Sequence, residues 1–135
     1  MNIRRIAAFA VCIAVRCGLA LVAFLAAKQM NLVYLRALGG LALVPALGFS
    51  LIWFFEWRKT GLEVGGRKIW WNHLRPFHAA MYAAFGALAL MGYRDAYIAL
   101  VIDVVVGTIS FIHNISSQSE GVLGGGAPYY PYDIR

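Results

Sequence analysis

The chain has 135 residues, 61% of them hydrophobic and only 13% charged, with a formal net charge of +6 and a mean hydropathy of +0.69. Globular proteins place about a quarter of their residues in Asp, Glu, Lys and Arg, and a soluble monomer this poor in polar side chains could not cover its own core. So much apolar surface also excludes disorder, 14 glycines without a three-residue period exclude collagen, and 2 cysteines exclude a disulfide scaffold; an integral membrane protein remains.

A helix crosses a bilayer with about 20 apolar residues, in a range of about 17 to 25. Four runs qualify, at residues 6–27, 37–55, 76–92 and 96–112. None alternates with period two, so they read as helices and not as barrel strands. The first contains one charge, Arg16; the second contains none; the third has His78 as its one ionisable side chain; the fourth has Asp103. Arg16 and the length of the first run argue for a retained helix over a cleaved signal peptide. Pro45 should kink the second helix, and Gly39, Gly40 and Gly48 offer close helix contact. Pro76 suits the first turn of the third helix, and Asn72 can cap a short turn before it. The expected fold is all-α: a four-helix transmembrane bundle over residues 1–113 and a flexible tail over 114–135.

Basic residues set the orientation. With four spans, Arg4, Arg5, Arg58, Lys59, Arg67, Lys68, Arg75 and Arg135 share one side, against Lys28, Arg36 and Arg94 on the other. Both termini therefore read as inner. Trp53, Trp57, Trp70 and Trp71 flank the central loop as interfacial anchors, and Arg58, Lys59, Arg67, Lys68 and Arg75 as headgroup contacts, at about 1 kcal/mol per basic residue near an anionic surface.

An ionised side chain at mid-bilayer costs about 2.5 to 3.5 kcal/mol on insertion scales. Counted from the outer face, Arg16 lies about 16 Å down and Asp103 about 10 to 11 Å down, at 1.5 Å per residue. The long arginine spans the difference, so the two are expected to form one ion pair between the first and fourth helices. Arg16 shares a helical face with Ala8, Cys12, Ala20, Ala23 and Ala27, and Asp103 with Gly107, Ser110 and Asn114; the third helix has Ala79, Ala83 and Ala87. Small and polar stripes of this kind form helix contacts in lipid. His78, Ser110 and His113 complete a polar face near the inner end. A proton relay normally shows several titratable groups in line, so structural pairing is the preferred reading over transport.

Chemistry is otherwise sparse. His78 and His113 on facing helices could in principle hold a haem iron, but interfacial histidines are ordinary and there is no second pair; His73 and His78 lack a metal spacing, so no cofactor and no metal are expected. Cys12 and Cys17 read as small core residues with no redox motif. Gly124-Gly125-Gly126 lacks the Lys-Ser/Thr of a phosphate loop, and no catalytic set can be assembled around the one buried acid. The chain reads as a non-enzyme without small-molecule substrate or nucleic-acid partner. The tail ends in Pro128-Tyr129-Tyr130-Pro131-Tyr132, a compact aromatic tip whose Tyr129, Tyr130, Pro131 and Tyr132 suit docking on another protein.

The run Trp70-Trp71-Asn72-His73-Leu74-Arg75-Pro76-Phe77-His78 through Tyr82, then Tyr97 to Asp103 and Gly107, resembles small multi-pass membrane proteins of unknown function encoded by large DNA viruses of algae and protists. The likeness covers roughly residues 58–113. It implies a protein of a virion's internal membrane that ties bilayer to capsid, with Arg75, His78 and Asp103 as family positions. The expected function is therefore structural: a membrane-embedded, minor-capsid-like component recruited to a larger assembly through its tail. The alternative is a small accessory subunit of an energy-transducing or transport complex, in an organelle or cell membrane, using Asp103.

Overall fold

The computed structural model describes residues 3–29, 31–57 and 71–123. All regular structure among them is helical: α1 (Ile3–Lys28), α2 (Leu32–Phe54), α3 (Arg75–Leu90) and α4 (Tyr97–Leu123), with 3₁₀ turns at Asn72–Leu74 and Arg94–Ala96. Three helical segments are long and apolar enough to cross a membrane: Phe9–Lys28, Leu32–Phe54 and Arg94–Ser117.

Local chemistry explains where these helices begin and end. Asn31 starts α2 five residues before the apolar run, because its side chain accepts from the Tyr34 N–H at 3.4 Å and satisfies an otherwise orphaned donor. Pro45 stands inside α2, which nevertheless continues to Phe54. α3 stops at Leu90, two residues short of the expected span. Gly92, at φ +86°, reverses the chain while Gly92 N–H bonds Ala89 O at 3.0 Å and Tyr93 N–H bonds Leu88 O at 2.9 Å, the Schellman arrangement that glycine permits. α4 differs most from expectation: in place of a break after residue 113, the helix runs to Leu123. Ser116 and Ser117 donate to the carbonyls of Ile112 and His113 at 3.1 and 3.0 Å, which accommodates polar residues within the helix. The next glycine after Gly107 is Gly121, so nothing earlier halts it.

The helices pack in a closed ring, α1 on α2, α2 on α3, α3 on α4 and α4 on α1. Side-chain register shows the antiparallel sense. Phe9 stacks on Phe111 at 3.5 Å, Arg16 meets Asp103, and Phe24 meets Tyr97 at 5.1 Å, so α4 descends as α1 rises. Likewise Gly39 lies against Ala89, Leu43 against Gly86, and Phe49 against Tyr82.

Most buried apolar positions are alanine, with Leu35, Tyr82, Phe85 and Leu100 as large exceptions, and many large aliphatic side chains face outward. Ala20, Ala23, Ala27, Ala42, Ala46, Ala79, Ala89, Ala96 and Ala99 are buried, whereas Val11, Val15, Leu41, Val44, Leu47 and Ile109 are exposed. In water this would be inverted; in lipid, where large apolar side chains gain nothing by leaving the solvent, small residues let the backbones approach. The stripes follow alternating steps of three and four. On α1 the contact line runs through Phe9, Ile13, Arg16, Ala20, Ala23 and Ala27. Cys12 and Cys17 fall off it and are exposed, against the expectation of core residues. On α3, Ala79 is buried but Ala83 and Ala87 are exposed; the buried line is His78, Tyr82, Phe85 and Ala89. Repeated steps of four overrun a 3.6-residue turn and drift off the contact.

The tightest seam joins α2 and α3. A Cβ on Gly39 would stand 2.7 Å from Ala89 Cβ and 3.0 Å from Gly86 O, and one on Gly86 would stand 2.6 Å from Leu43 Cδ2. Gly40 and Gly48, also expected at contacts, face open space. Gly39→Val should therefore destabilise the folded protein by about 1 to 3 kcal/mol through overpacking, while Gly40→Val should leave it nearly unchanged. Unfolding in mixed detergent micelles distinguishes the two.

Candidate functional site

One compartment at the centre of the bundle gathers Arg16, His78 and Asp103. α1 supplies Arg16, α4 supplies Asp103, and Arg16 Nη1 lies 3.3 Å from Asp103 Oδ2. Their side chains are 12% and 1% exposed. α3 adds His78, buried and hydrogen-bonded through Nδ1 to Asp103 Oδ1. Arg16 Nη1 is also 3.3 Å from His78 Nδ1 and 3.5 Å from its Nε2. Nη1 is thus within hydrogen-bond distance of both ring nitrogens. α2 closes the compartment with Phe49, whose ring centroid is 6.0 Å from the imidazole and 6.0 Å from Arg16 Cζ. Tyr82, one turn beyond His78, is buried beside the same ring at 6.1 Å and senses the charges of Asp103 and Arg16.

The sequence places each member for a physical reason. Gly107 is one turn after Asp103, and a Cβ there would stand 3.2 Å from Arg16 Nη1 and 3.7 Å from His78 Cε1; glycine leaves the guanidinium its room. His78 comes into reach because α3 is short. Measured from the end of the bundle holding the two short turns, Arg16 is twelve residues from Lys28 and His78 twelve from Leu90, each about 18 Å in. Asp103 is six residues beyond Tyr97 and a three-residue 3₁₀ turn, about 15 Å in. Counted from Pro76 instead, His78 falls near the opposite surface, which is why sequence alone separates it from Asp103.

Charge and hydrogen bonding balance incompletely. With a neutral imidazole, Arg16 and Asp103 sum to zero, as burial in an apolar bundle requires. The Nδ1–Oδ1 contact holds one proton between the two atoms, because two bare acceptors would repel. Asp103 Oδ2, however, is buried without a hydrogen-bond partner. It lies within ion-pair distance of Nη1, yet the guanidinium is turned toward the ring, so the attraction is Coulombic without a directed bond.

The remaining sequence-selected residues are dispersed. Ser110 is half-buried and His113 exposed, so His78 does not share a polar face with them. Arg75, expected among lipid headgroups, is instead buried; the 3₁₀ turn folds Asn72 back onto it, and its Nη1 donates to Asn72 Oδ1 at 2.7 Å. Trp53 and Trp57 are exposed and Trp71 is half-buried. Arg58, Lys59, Arg67, Lys68, Trp70, Tyr129, Tyr130, Pro131 and Tyr132 lie outside the described residues. Among the described residues no group of three or more His, Cys, Asp or Glu is placed to hold a metal ion.

No protein-family model matches the chain, and neither does any curated protein or solved structure.

Removing one partner strands the other as an uncompensated buried charge, at about 3 to 5 kcal/mol. Asp103→Asn should therefore lower thermal stability and folded yield in membranes, and Arg16→Gln in the same chain should restore part of both. Normal folding of Asp103→Asn alone would contradict a structural role for the pair.

Proposed function

We propose that the chain is a structural subunit of a larger membrane assembly, a four-span bundle with both termini on the inner face that presents its C-terminal segment to a partner protein. The observation that carries this reading is the length of α4. It leaves the apolar run at Ile112 and continues to Leu123, about 16 Å further at 1.5 Å per residue. A helix continuous with the bundle carries the described chain out to Leu123. The sequence after Leu123 carries the aromatic and proline-rich run Tyr129-Tyr130-Pro131-Tyr132, well suited to docking at low entropic cost.

Four crossings also suit the dimensions. α3 alone has 16 residues, about 24 Å, and the preceding 3₁₀ turn adds about 6 Å, together matching a hydrocarbon core of about 30 Å. The excess of Lys and Arg in the central loop and near the termini favours that side as inner. An internal virion membrane as the location and a capsid shell as the partner belong to this proposal through the resemblance of residues 58–113 alone. The same architecture suits an accessory subunit of a transport complex, and His78 beside Asp103 is the observation favouring that second reading.

Deleting residues 124–135 should leave the unfolding temperature unchanged and shift the protein from a high-mass complex to a small species on native gels of solubilised membranes. Retention in the complex after this deletion would contradict docking through the tail.

A further inference from the structure

We propose that Arg16, His78 and Asp103 form an exchangeable proton site, in which a proton arriving at His78 Nε2 moves the Arg16 guanidinium from the imidazole onto the idle oxygen of Asp103. The ligand is a proton, and the site goes beyond a structural role for the bundle.

Four observations converge. Asp103 Oδ2 is a buried acceptor without a hydrogen bond, although a guanidinium nitrogen lies 3.3 Å away. The same nitrogen spends its approach on the imidazole, at 3.3 and 3.5 Å from the two ring nitrogens, a position compatible only with a neutral ring because two cations so close repel. His78 Nδ1 is already engaged with Asp103 Oδ1, which leaves Nε2, approached at 3.5 Å by Arg16 Nη1, as the ring atom with a lone pair for a proton. Finally, Gly107 opposite Nη1 and Cε1 carries no side chain to pin the guanidinium.

The step balances simply. A proton from water adds to the Nε2 lone pair, one N–H bond forms, and the proton between Nδ1 and Oδ1 stays in place. The cluster passes from net zero to +1. Imidazolium now repels Arg16, and the unsatisfied Oδ2 receives it; both cations then flank the single carboxylate. Loss of the Nε2 proton to water reverses the motion. The groups that face the ring are Arg16 on α1, Phe49 on α2 and Asp103 on α4, with Tyr82 one turn along α3 itself. Asp103 is the one carboxylate among them, so it is the group that makes a second positive charge tolerable.

The test uses the full chain in lipid nanodiscs, carrying His73→Gln and His113→Gln so that His78 is the one imidazole, with ¹⁵N-labelled histidine and arginine. As the pH is lowered, Nε2 should pass from an unprotonated to a protonated resonance. The Arg16 Nη resonances, assigned by difference against Arg16→Lys, should shift with the same midpoint. A ring that keeps one protonation state throughout overturns the proposal, and so does a ring that titrates while Arg16 stays still. Because the readout is the titration of the intact site, it does not depend on any substitution within the His78–Asp103 contact folding correctly.

Discussion

An arginine and an aspartate placed midway along apolar helices are tolerable only together, and the rest of the bundle is arranged so that they meet. Each alone would cost several kcal/mol in lipid, and a removed partner would leave that cost uncompensated. Bringing them to 3.3 Å fixes the rotation of α1 and α4 about their axes and the relative height of the two helices. The hairpin between α3 and α4 then fixes α3, whose His78 arrives at the same level and takes the other carboxylate oxygen. α2 is tied in through Phe49 over the arginine and through the glycine contact with α3. A single charged contact thus bears on all four helices.

That polar centre is compatible with the packing around it because the packing is so lean. Alanine and glycine line the interior, so the backbones come close and the charged side chains have short distances to cover. Large aliphatic side chains turned outward cover the bundle with a surface that lipid solvates. The two features depend on one another: wider spacing, as a leucine core would impose, would leave the carboxylate without the histidine. Asp103 Oδ2 is the one buried side-chain oxygen among the described residues without a hydrogen-bond partner.

Much of this is legible in the residues alone, and the exceptions have identifiable causes. Helical class and the apolar runs follow from length and hydropathy, and the juxtaposition of Arg16 with Asp103 follows from depth counting along two helices. His78 escapes a depth count that starts at the proline end of its helix; the glycine-stopped end, set by Gly92, is the fixed reference. Gly86 is missed when only the glycines of α2 are considered, although a contact between backbones needs a small residue on both helices. The buried Arg75 reads as a surface charge, since nothing in a basic loop marks which member folds back onto an Asn three residues earlier. The continuation of α4 is legible in principle: no glycine or proline intervenes between Gly107 and Gly121, and serines can remain helical by bonding one turn back. Residues 58–70 and 124–135, where sequence places basic and aromatic residues for lipid and protein partners, lie outside the described residues.

That a direct Arg16–Asp103 contact organises the interior of this helical bundle is open to a distance measurement that needs no assumption about function. Rotational-echo double resonance between ¹⁵N-labelled arginine side chains and ¹³C-labelled aspartate carboxyls, in lipid bilayers and with Asp103→Asn as the blank, reads the separation of Arg16 and Asp103. A nitrogen–oxygen contact near 3.3 Å predicts strong dephasing that vanishes in the blank. Dephasing identical in the two samples would place the charges apart and contradict the contact.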